Sequence, residues 1–353
     1  MSNQRSNGVS RTASTSTRRS QQAAATSAHV PVLLDAVVGA LAPRDNAVYV
    51  DGTFGGGSYS EALLAAARCR VFGIDRDPYA VQRGRELAKR HGGRLQILEG
   101  RFGEMERLLT PVTTDPIAGI ALDLGVSSTQ LDTPERGFSF RLDGPLDMRM
   151  SGEGQSAADL VAGLAEAELA ELIRSLGEER FARRIAHAIA AARQRQPILR
   201  TTELAEIVRA AIPKPEPGQD PATRTFQALR IVVNDELAEL DRGLRAAEQL
   251  LMAGGRLAVV SFHSLEDRRV KEFLRGRSGG APQVSRHHPV RIGGAPPSFR
   301  LLSKRAIKPS AAEVAHNPRA RSARLRAAER TASPPWSANS DLLALRGRGG
   351  QHA

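Results

Sequence analysis

Four glycines fall within the ten residues Asp51-Gly-Thr-Phe-Gly-Gly-Gly-Ser-Tyr-Ser60, directly behind a short apolar run and ahead of a stretch with helical composition. A strand that ends in such a turn needs backbone with positive φ, and glycines at 52, 55, 56 and 57 let it approach a ligand with no Cβ in the way. The helix that follows presents free N–H groups, so a nucleotide-like cofactor is the expected ligand. Glycine-rich strand-to-helix turns also serve dehydrogenases and purely structural bends. The dinucleotide pattern G-x-G-x-x-G is broken here, because Ser60 stands where the last glycine belongs, which counts against NAD.

Five apolar runs have the length and composition of buried strands: residues 47–53, 70–75, 95–100, 117–125 and 256–263. Helical stretches such as 61–68 and 79–90 separate the first four, which gives the alternation of a doubly wound parallel α/β sheet. Between the fourth and fifth runs lie about 130 residues, too many for a crossover. Their apolar positions step by three and four. Val161, Leu164, Leu169, Leu172 and Leu176 form one face, Phe181, Ile185, Ala188, Ile189 and Ala192 a second, and Leu204, Ile207, Val208 and Ala211 a third. The longest stripe runs through Phe226, Leu229, Val233, Leu237, Leu240, Leu244, Ala247 and Leu251, and predicts one long helix from Asp220-Pro221 to Gly254-Gly255. The expected organisation is a sheet domain in two parts, 29–133 and 244–331, around an inserted all-helical substrate domain at 134–243. Residues 332–353 read as a loose tail.

The formal charge of +12 is unevenly spread. Residues 1–28 carry four arginines and no acid, and residues 278–353 carry 13 basic against three acidic residues, while 29–277 hold 33 against 35. The body is therefore near neutral, and the first 28 residues, rich in Ser, Thr, Gln and Arg, read as a disordered basic extension. In the C-terminal part, Ser322-Ala-Arg-Leu-Arg-Ala-Ala-Glu329 interleaves charge with apolar residues, as a docked strand or helix facing phosphates would. One cysteine, Cys69, allows no internal disulfide and suits a reducing compartment. With no apolar run of spanning length and no signal h-region, a cytoplasmic protein without membrane contact is expected.

Several polar residues stand where ligands of such sheets gather. Asp75 ends the second run at the distance from the glycine turn where an acid grips a ribose diol. Asp77, ahead of Pro78, reads as a helix cap. Phe102 could lie against adenine or belong to the core. Asp123 ends the fourth run in Leu122-Asp-Leu-Gly-Val-Ser-Ser128. His263, Glu266 and Asp267 follow the fifth run, where Ser264-Leu-Glu-Asp267 also reads as a capping box. His287-His288 lacks cysteine or acidic companions, so no metal site is expected. Arginines at 136, 141, 149, 224 and 230 could meet the phosphates of an anionic ligand around the insert, or make ordinary salt bridges.

These motifs together resemble the ribosomal RNA small subunit methyltransferase H family. The resemblance rests on His29-Val-Pro-Val-Leu-Leu34, the 51–60 turn, Asp75-Arg-Asp-Pro78, Asp123-Leu-Gly-Val-Ser-Ser128 and Arg136-Gly-Phe-Ser-Phe140. It continues in Gly144-Pro-Leu-Asp-Met-Arg-Met150, Gly177-Glu-Glu-Arg180, Ala222-Thr-Arg-Thr-Phe-Gln-Ala-Leu-Arg-Ile231, Ser261-Phe-His-Ser-Leu-Glu-Asp-Arg268 and Asn317-Pro-Arg-Ala-Arg-Ser322. It implies a Rossmann-like class I methyltransferase sheet that uses S-adenosyl-L-methionine to methylate N4 of a cytidine in the decoding region of 16S rRNA, in the small ribosomal subunit. By motif position it implies cofactor contacts at Gly57, Ser58, Tyr59, Asp75, Phe102, Asp123 and Gln130. Asp123, with the backbone of 124–128, is the expected polar cluster at the target amine. The commoner family pattern has Gly-Gly-His where this chain has Gly57-Ser58-Tyr59. If position 58 required positive φ, Ser58 would be strained there. A rival expectation is an RNA-binding assembly factor that keeps the fold without activity.

Overall fold

The computed structural model describes residues 31–279 and 295–337. His29, His287 and His288, residues 1–28 and residues 338–353 lie outside these residues. After α1 (Leu34–Leu41), strands and helices alternate as β1 (Val48–Asp51), α2 (Ser58–Ala66), β2 (Arg70–Asp75), α3 (Pro78–Ala88), β3 (Leu95–Glu99), α4 (Met105–Leu109), β4 (Ile117–Asp123) and α5 (Ser128–Asp132). The insertion follows with α6 (Ala157–Gly163), α7 (Glu166–Gly177), α8 (Ala182–Arg193), α9 (Thr201–Ala211) and α10 (Ala222–Asn234). The chain returns through α11 (Glu236–Leu250), β5 (Leu251–Ser261), α12 (Ser264–Arg277), β6 (Phe299–Leu301), α13 (Ala311–His316) and β7 (Arg324–Arg330).

The strands form one sheet in the order β3-β2-β1-β4-β5-β7-β6. Strands β1 to β5 are parallel and β7 runs antiparallel to both neighbours. This is a doubly wound, Rossmann-like arrangement, and its order reverses between β1 and β4, where the carboxyl ends open a crevice. The uninterrupted apolar character of β1 and β4 follows from burial on both faces. One face packs Phe72, Ile120, Leu122, Leu244 and Val259, and the other packs Tyr49, Leu63, Val71, Ala121 and Val260. A separate core of Leu169, Ile185, Ile189, Leu204, Val208 and Phe226 holds the inserted helices together.

Two expectations need correction. The stripe from Phe226 to Leu251 is two helices, broken at Asp235, whose φ of 53° is left-handed. Its first half faces the insert's core, while Leu240, Leu244 and Ala247 face the sheet. The structural return to the sheet therefore begins at α11, and strand β5 starts at Leu251 rather than after Gly255. The segment 322–329 forms most of strand β7, docked on β5 as one of its two expected forms; of its two arginines, Arg326 is largely buried and paired with Asp267 at 2.7 Å, while Arg324 stays exposed, 3.7 Å from the same carboxylate.

The break at Asp235 is held by Asn234, which is buried. Its Oδ1 accepts the Met150 N–H at 2.9 Å, and its Nδ2 donates to the Met148 carbonyl at 2.7 Å and the Arg230 carbonyl at 3.0 Å. Its own carbonyl accepts from Arg76 Nη1 at 2.8 Å and Arg101 Nη1 at 3.4 Å, both from the sheet. The C-terminal dipole of α10 favours those cations. Asn234→Ala leaves a buried N–H and a buried carbonyl without partners, and should cost about 2–4 kcal/mol in chemical denaturation. A loss below about 1 kcal/mol would show that the joint is held by something else.

Candidate active site

At the carboxyl edge of the sheet three adjacent strands each end in an acid: Asp51 on β1, Asp75 on β2 and Asp123 on β4. Asp51 is buried; Ser60 Oγ donates to its Oδ2 at 2.8 Å, while its Oδ1 has no partner among the described residues. Burial, opposed by the Ser60 and Thr53 hydrogen bonds and reinforced by the charge of Asp75, pushes the Asp51 carboxyl up to about 6. Asp123 Oδ1 is likewise enclosed and unpartnered. Burial first, then the charges of Asp51 and Glu266, push Asp123 well above the usual carboxylate range. Burial also raises Asp75, although its Oδ2 accepts the Gly55 N–H at 2.7 Å and its Oδ1 the Asp77 N–H at 2.9 Å. None of the three carboxylates is in a salt bridge among the described residues, and only Asp75 is eased by a neighbouring charge, that of Arg76, so the edge is acidic and under-neutralised, suited to a positively charged ligand.

The glycine turn lies across this edge. Phe54 N–H donates to the Ile74 carbonyl and Gly57 N–H to the Phe54 carbonyl, closing the loop. Gly57 has φ 83°, and a Cβ there would stand 2.7 Å from the Phe54 ring. Positive φ is confined to Gly55 and Gly57 in this loop; Ser58 is the first residue of α2 and is unstrained. Tyr59 is buried in the core, its hydroxyl donating to the Val32 carbonyl at 2.5 Å, and burial with the charges of Asp123 and Asp51 pushes its ionisation far up. Only the backbone of Tyr59 is left for a ligand at the helix N-terminus. The departure from Gly-Gly-His therefore changes packing behind the loop and leaves its path intact.

The other candidates divide. Phe102 is half-buried, and its ring lies against Gly243 of α11, where a Cβ would approach to 2.4 Å. Gln130 spends its amide on position: its Oε1 accepts the Ser127 N–H in a capping box, and its Nε2 donates to Asp77 Oδ2 at 2.8 Å. Asp77 caps α3 through Tyr79 N–H and pairs with Arg136 at 2.8 Å. His263 is the N-cap of α12, one residue ahead of the expected cap, and Glu266 closes that box. Its Nδ1 accepts the Glu266 N–H, so the neutral ring carries its proton on Nε2, 3.1 Å from Glu266 Oε1. That leaves it no free acceptor for use as a base. Burial raises Glu266, but His263 and Arg230 hold it below the ordinary range. Asp267 is taken by Arg326.

Glu236, His263 and Glu266 bring ligand atoms within 4.8 Å of one another. Arg230 already occupies both Glu236 oxygens, at 2.8 and 2.9 Å, and Glu266 Oε2 accepts backbone N–H groups. The chemistry is that of an ion-pair network. Of the five arginines considered for phosphate contacts, Arg136, Arg149, Arg224 and Arg230 are each paired with a carboxylate, and Arg141 is exposed. Asp51 and the Arg76–Asn234 joint were not singled out from sequence. An acid closing a buried strand immediately before the glycine turn was the available signal for Asp51.

A family model described as the MraW methylase family matches residues 26–331. The chain is 62% identical over 310 residues to a ribosomal RNA small subunit methyltransferase H of Rhodospirillum centenum, covering 88% of this chain and 94% of that relative. A protein of the same name from Paramagnetospirillum magneticum is 60% identical, covering 87% and 97%. One from Methylorubrum populi is 54% identical over 348 residues, covering 96% and 98%. Among solved structures, a putative rRNA-methylase from Clostridium thermocellum aligns with 85% of this chain and 98% of its own, at 12% identity and TM-score 0.40.

The raised Asp51 carboxyl has a signed consequence. A folded-state value near 6, above that of the unfolded chain, stabilises the fold below about pH 4, and that contribution is lost as pH rises through 6. Asp51→Asn should therefore stabilise the ligand-free protein at pH 7, by up to about 3 kcal/mol, and flatten its stability profile between about pH 4 and 7. Thermal melts across that range measure it. Destabilisation at pH 7 would mean that the ionised carboxylate is satisfied in the free protein.

Proposed function

This chain belongs to the MraW methylase family, and from that premise we propose that it transfers a methyl group from S-adenosyl-L-methionine to N4 of a cytidine in the decoding region of bacterial 16S rRNA, within the small subunit. The observation that carries the reading is the row of under-neutralised carboxylates at Asp51, Asp75 and Asp123 beneath a glycine turn. A cationic nucleoside fits that edge. When bound, it supplies an electrophilic methyl on a sulfonium.

The residues then take distinct tasks. Asp75 keeps one acceptor direction on each oxygen after the Gly55 and Asp77 N–H bonds, which suits a ribose diol. The N-terminal N–H groups of α2 at Ser58 and Tyr59 suit a carboxylate, and Gly57, whose own N–H is given to the Phe54 carbonyl, lets a ligand approach the turn without a Cβ in the way. Phe102 offers a ring face near the end of β3. Gln130 fixes the 123–130 loop through Ser127 and Asp77, and so acts on the ligand through the loop. Asp51 and Asp123 balance positive charge.

Asp123 is the proposed catalytic group. Neither oxygen of its carboxylate has a donor among the described residues; Oδ1 is enclosed, and Oδ2, accepting an N–H from the cytosine amine, would raise electron density on a nitrogen whose lone pair is drawn into the ring. As the N–CH3 bond forms and the sulfur–CH3 bond breaks, the same oxygen would take the proton that the amine must lose. The burial that raises its carboxyl makes it a stronger base once ionised. The remaining demand is alignment of nitrogen, methyl and sulfur. We assign the inserted helices to holding the RNA, and draw the insert from about residue 134 to the break at Asp235. No helix among the described residues is long and apolar enough to cross a membrane, and a ribosomal substrate fits a cytoplasmic enzyme.

Labelled methyl transfer to small subunits from cells lacking this protein, followed by nucleoside analysis, should yield N4-methylcytidine. Asp75→Ala should weaken cofactor binding about 10- to 100-fold by calorimetry with the fold retained. Asp123→Asn should lower turnover at least about 100-fold at saturating substrates. A methylated product other than N4-methylcytidine, or undiminished turnover in Asp123→Asn, would contradict these assignments.

A further inference from the structure

Tyr79 is 67% exposed, the most of any large hydrophobic side chain among the described residues, in a chain with only 4% aromatics. Tyr49 and Tyr59 are buried. A solvent-facing ring here is therefore not explained by a surplus of aromatic residues. Nor is it loose: Tyr79 stands in the first turn of α3, its N–H held at 3.0 Å by the Asp77 cap. The Arg136 guanidinium lies over the ring, with Cζ 5.3 Å from its centroid. That guanidinium is fixed by Asp77 Oδ2 at 2.8 Å and by the carbonyls of Arg149 at 3.2 Å and Met150 at 3.0 Å. One face of the ring rests on an immobilised cation, and its exposure lies on the other side.

Arg83 follows one turn later on the same side of α3. On this helix Arg85 is paired with Glu99, and just beyond it Lys89 is paired with Glu86, but no carboxylate lies within ion-pair distance of Arg83 among the described residues. It donates instead to the Gly55 carbonyl at 2.8 Å and, at 3.4 Å, to Thr129 Oγ1. Its charge is uncompensated, it keeps donors to spare, and it is anchored to the glycine turn itself. A rigid ring backed by a cation, an unpaired guanidinium one turn away, and a position at the rim of the Asp75 and Asp123 edge form one surface.

We propose that the open face of Tyr79 stacks an unpaired RNA base beside the target nucleotide, while Arg83 takes an adjoining phosphate. The proposal rests on the methyltransferase reading above and deepens it by naming where the RNA next to the target lies. A base must leave its helix before its exocyclic amine reaches Asp123, and its neighbours lose stacking partners when it does. A backed aromatic ring replaces one of them without reading sequence, and an arginine beside it holds the backbone in register.

The test compares wild type, Tyr79→Ala, Tyr79→Phe and Arg83→Gln on unmethylated small subunits, with calorimetric S-adenosyl-L-methionine affinity and thermal melts alongside. Tyr79→Ala should raise the RNA KM about five- to tenfold, with cofactor affinity and melting unchanged, and Tyr79→Phe should restore it. Arg83→Gln should also raise KM and lower the slope of log KM against log salt by about one. An unchanged KM in Tyr79→Ala overturns the proposal. So does a parallel loss of cofactor affinity, which would make the ring part of the cofactor site, or failure of phenylalanine to rescue. Should wild type transfer no methyl at all, the functional reading fails instead; anisotropy with a short single-stranded RNA then still reads the Tyr79 and Arg83 contributions directly.

Discussion

Like charges crowded at one sheet edge are the constraint on which the rest of this molecule turns. Asp51, Asp75 and Asp123 end neighbouring strands, and ionising all three in a partly closed crevice is costly. The surrounding chain relieves the cost only in part. Ser60 serves one oxygen of Asp51, and the backbone of Gly55 and Asp77 serves Asp75. Thr53 Oγ1 accepts the Asp123 N–H at 2.6 Å and so fixes that residue's backbone, yet nothing among the described residues donates to its Oδ1. A fold selected for stability alone would place neutral side chains there. The proposed cationic ligand would supply the positive charge that these acids lack.

Charge is handled oppositely where the insert meets the sheet. Arg76 and Arg101 converge on the Asn234 carbonyl, Arg230 grips Glu236, and Glu178 bonds to Ser264 and Arg268 across the same seam. Each cation there has its partner, and the joint depends on polar geometry more than on shared apolar core, since only Ile231, Leu237 and Leu265 form a buried cluster of their own. Arginines that fasten this seam are unavailable to RNA. A nearly neutral body can still bind an anion through the few cations left without acids, which is why the unpaired ones near the cleft matter more than the total of +12.

Much of this was legible in the residues. The glycine turn, the strand acids and the alternation of runs are local patterns, and they specify the doubly wound sheet because its handedness and crossover rules leave few alternatives. The break at Asp235 was hidden because the three-four stripe passes through it unbroken, while its halves serve two different cores. An aspartate accepts a left-handed φ with no glycine to announce it. Ion pairs were hidden for a different reason. Arg136 finds Asp77 across 59 residues and Arg224 finds Glu179 across 45, distances over which sequence carries no pairing signal. Position 58 shows the converse: Ser58 departs from the commoner pattern and reads as possible strain, but the turn takes its positive φ at Gly55 and Gly57 and leaves Ser58 helical.

The claim that a cation completes the carboxylate edge is tested most directly by counting protons. Calorimetric titration of S-adenosyl-L-methionine near pH 6, in buffers of different ionisation enthalpy, reports how many are released on binding. The account requires net release, because a positive ligand favours the ionised forms of Asp51 and Asp123. It also requires smaller release with S-adenosylhomocysteine, which lacks the sulfonium charge. Proton uptake, or equal release with both ligands, would contradict it.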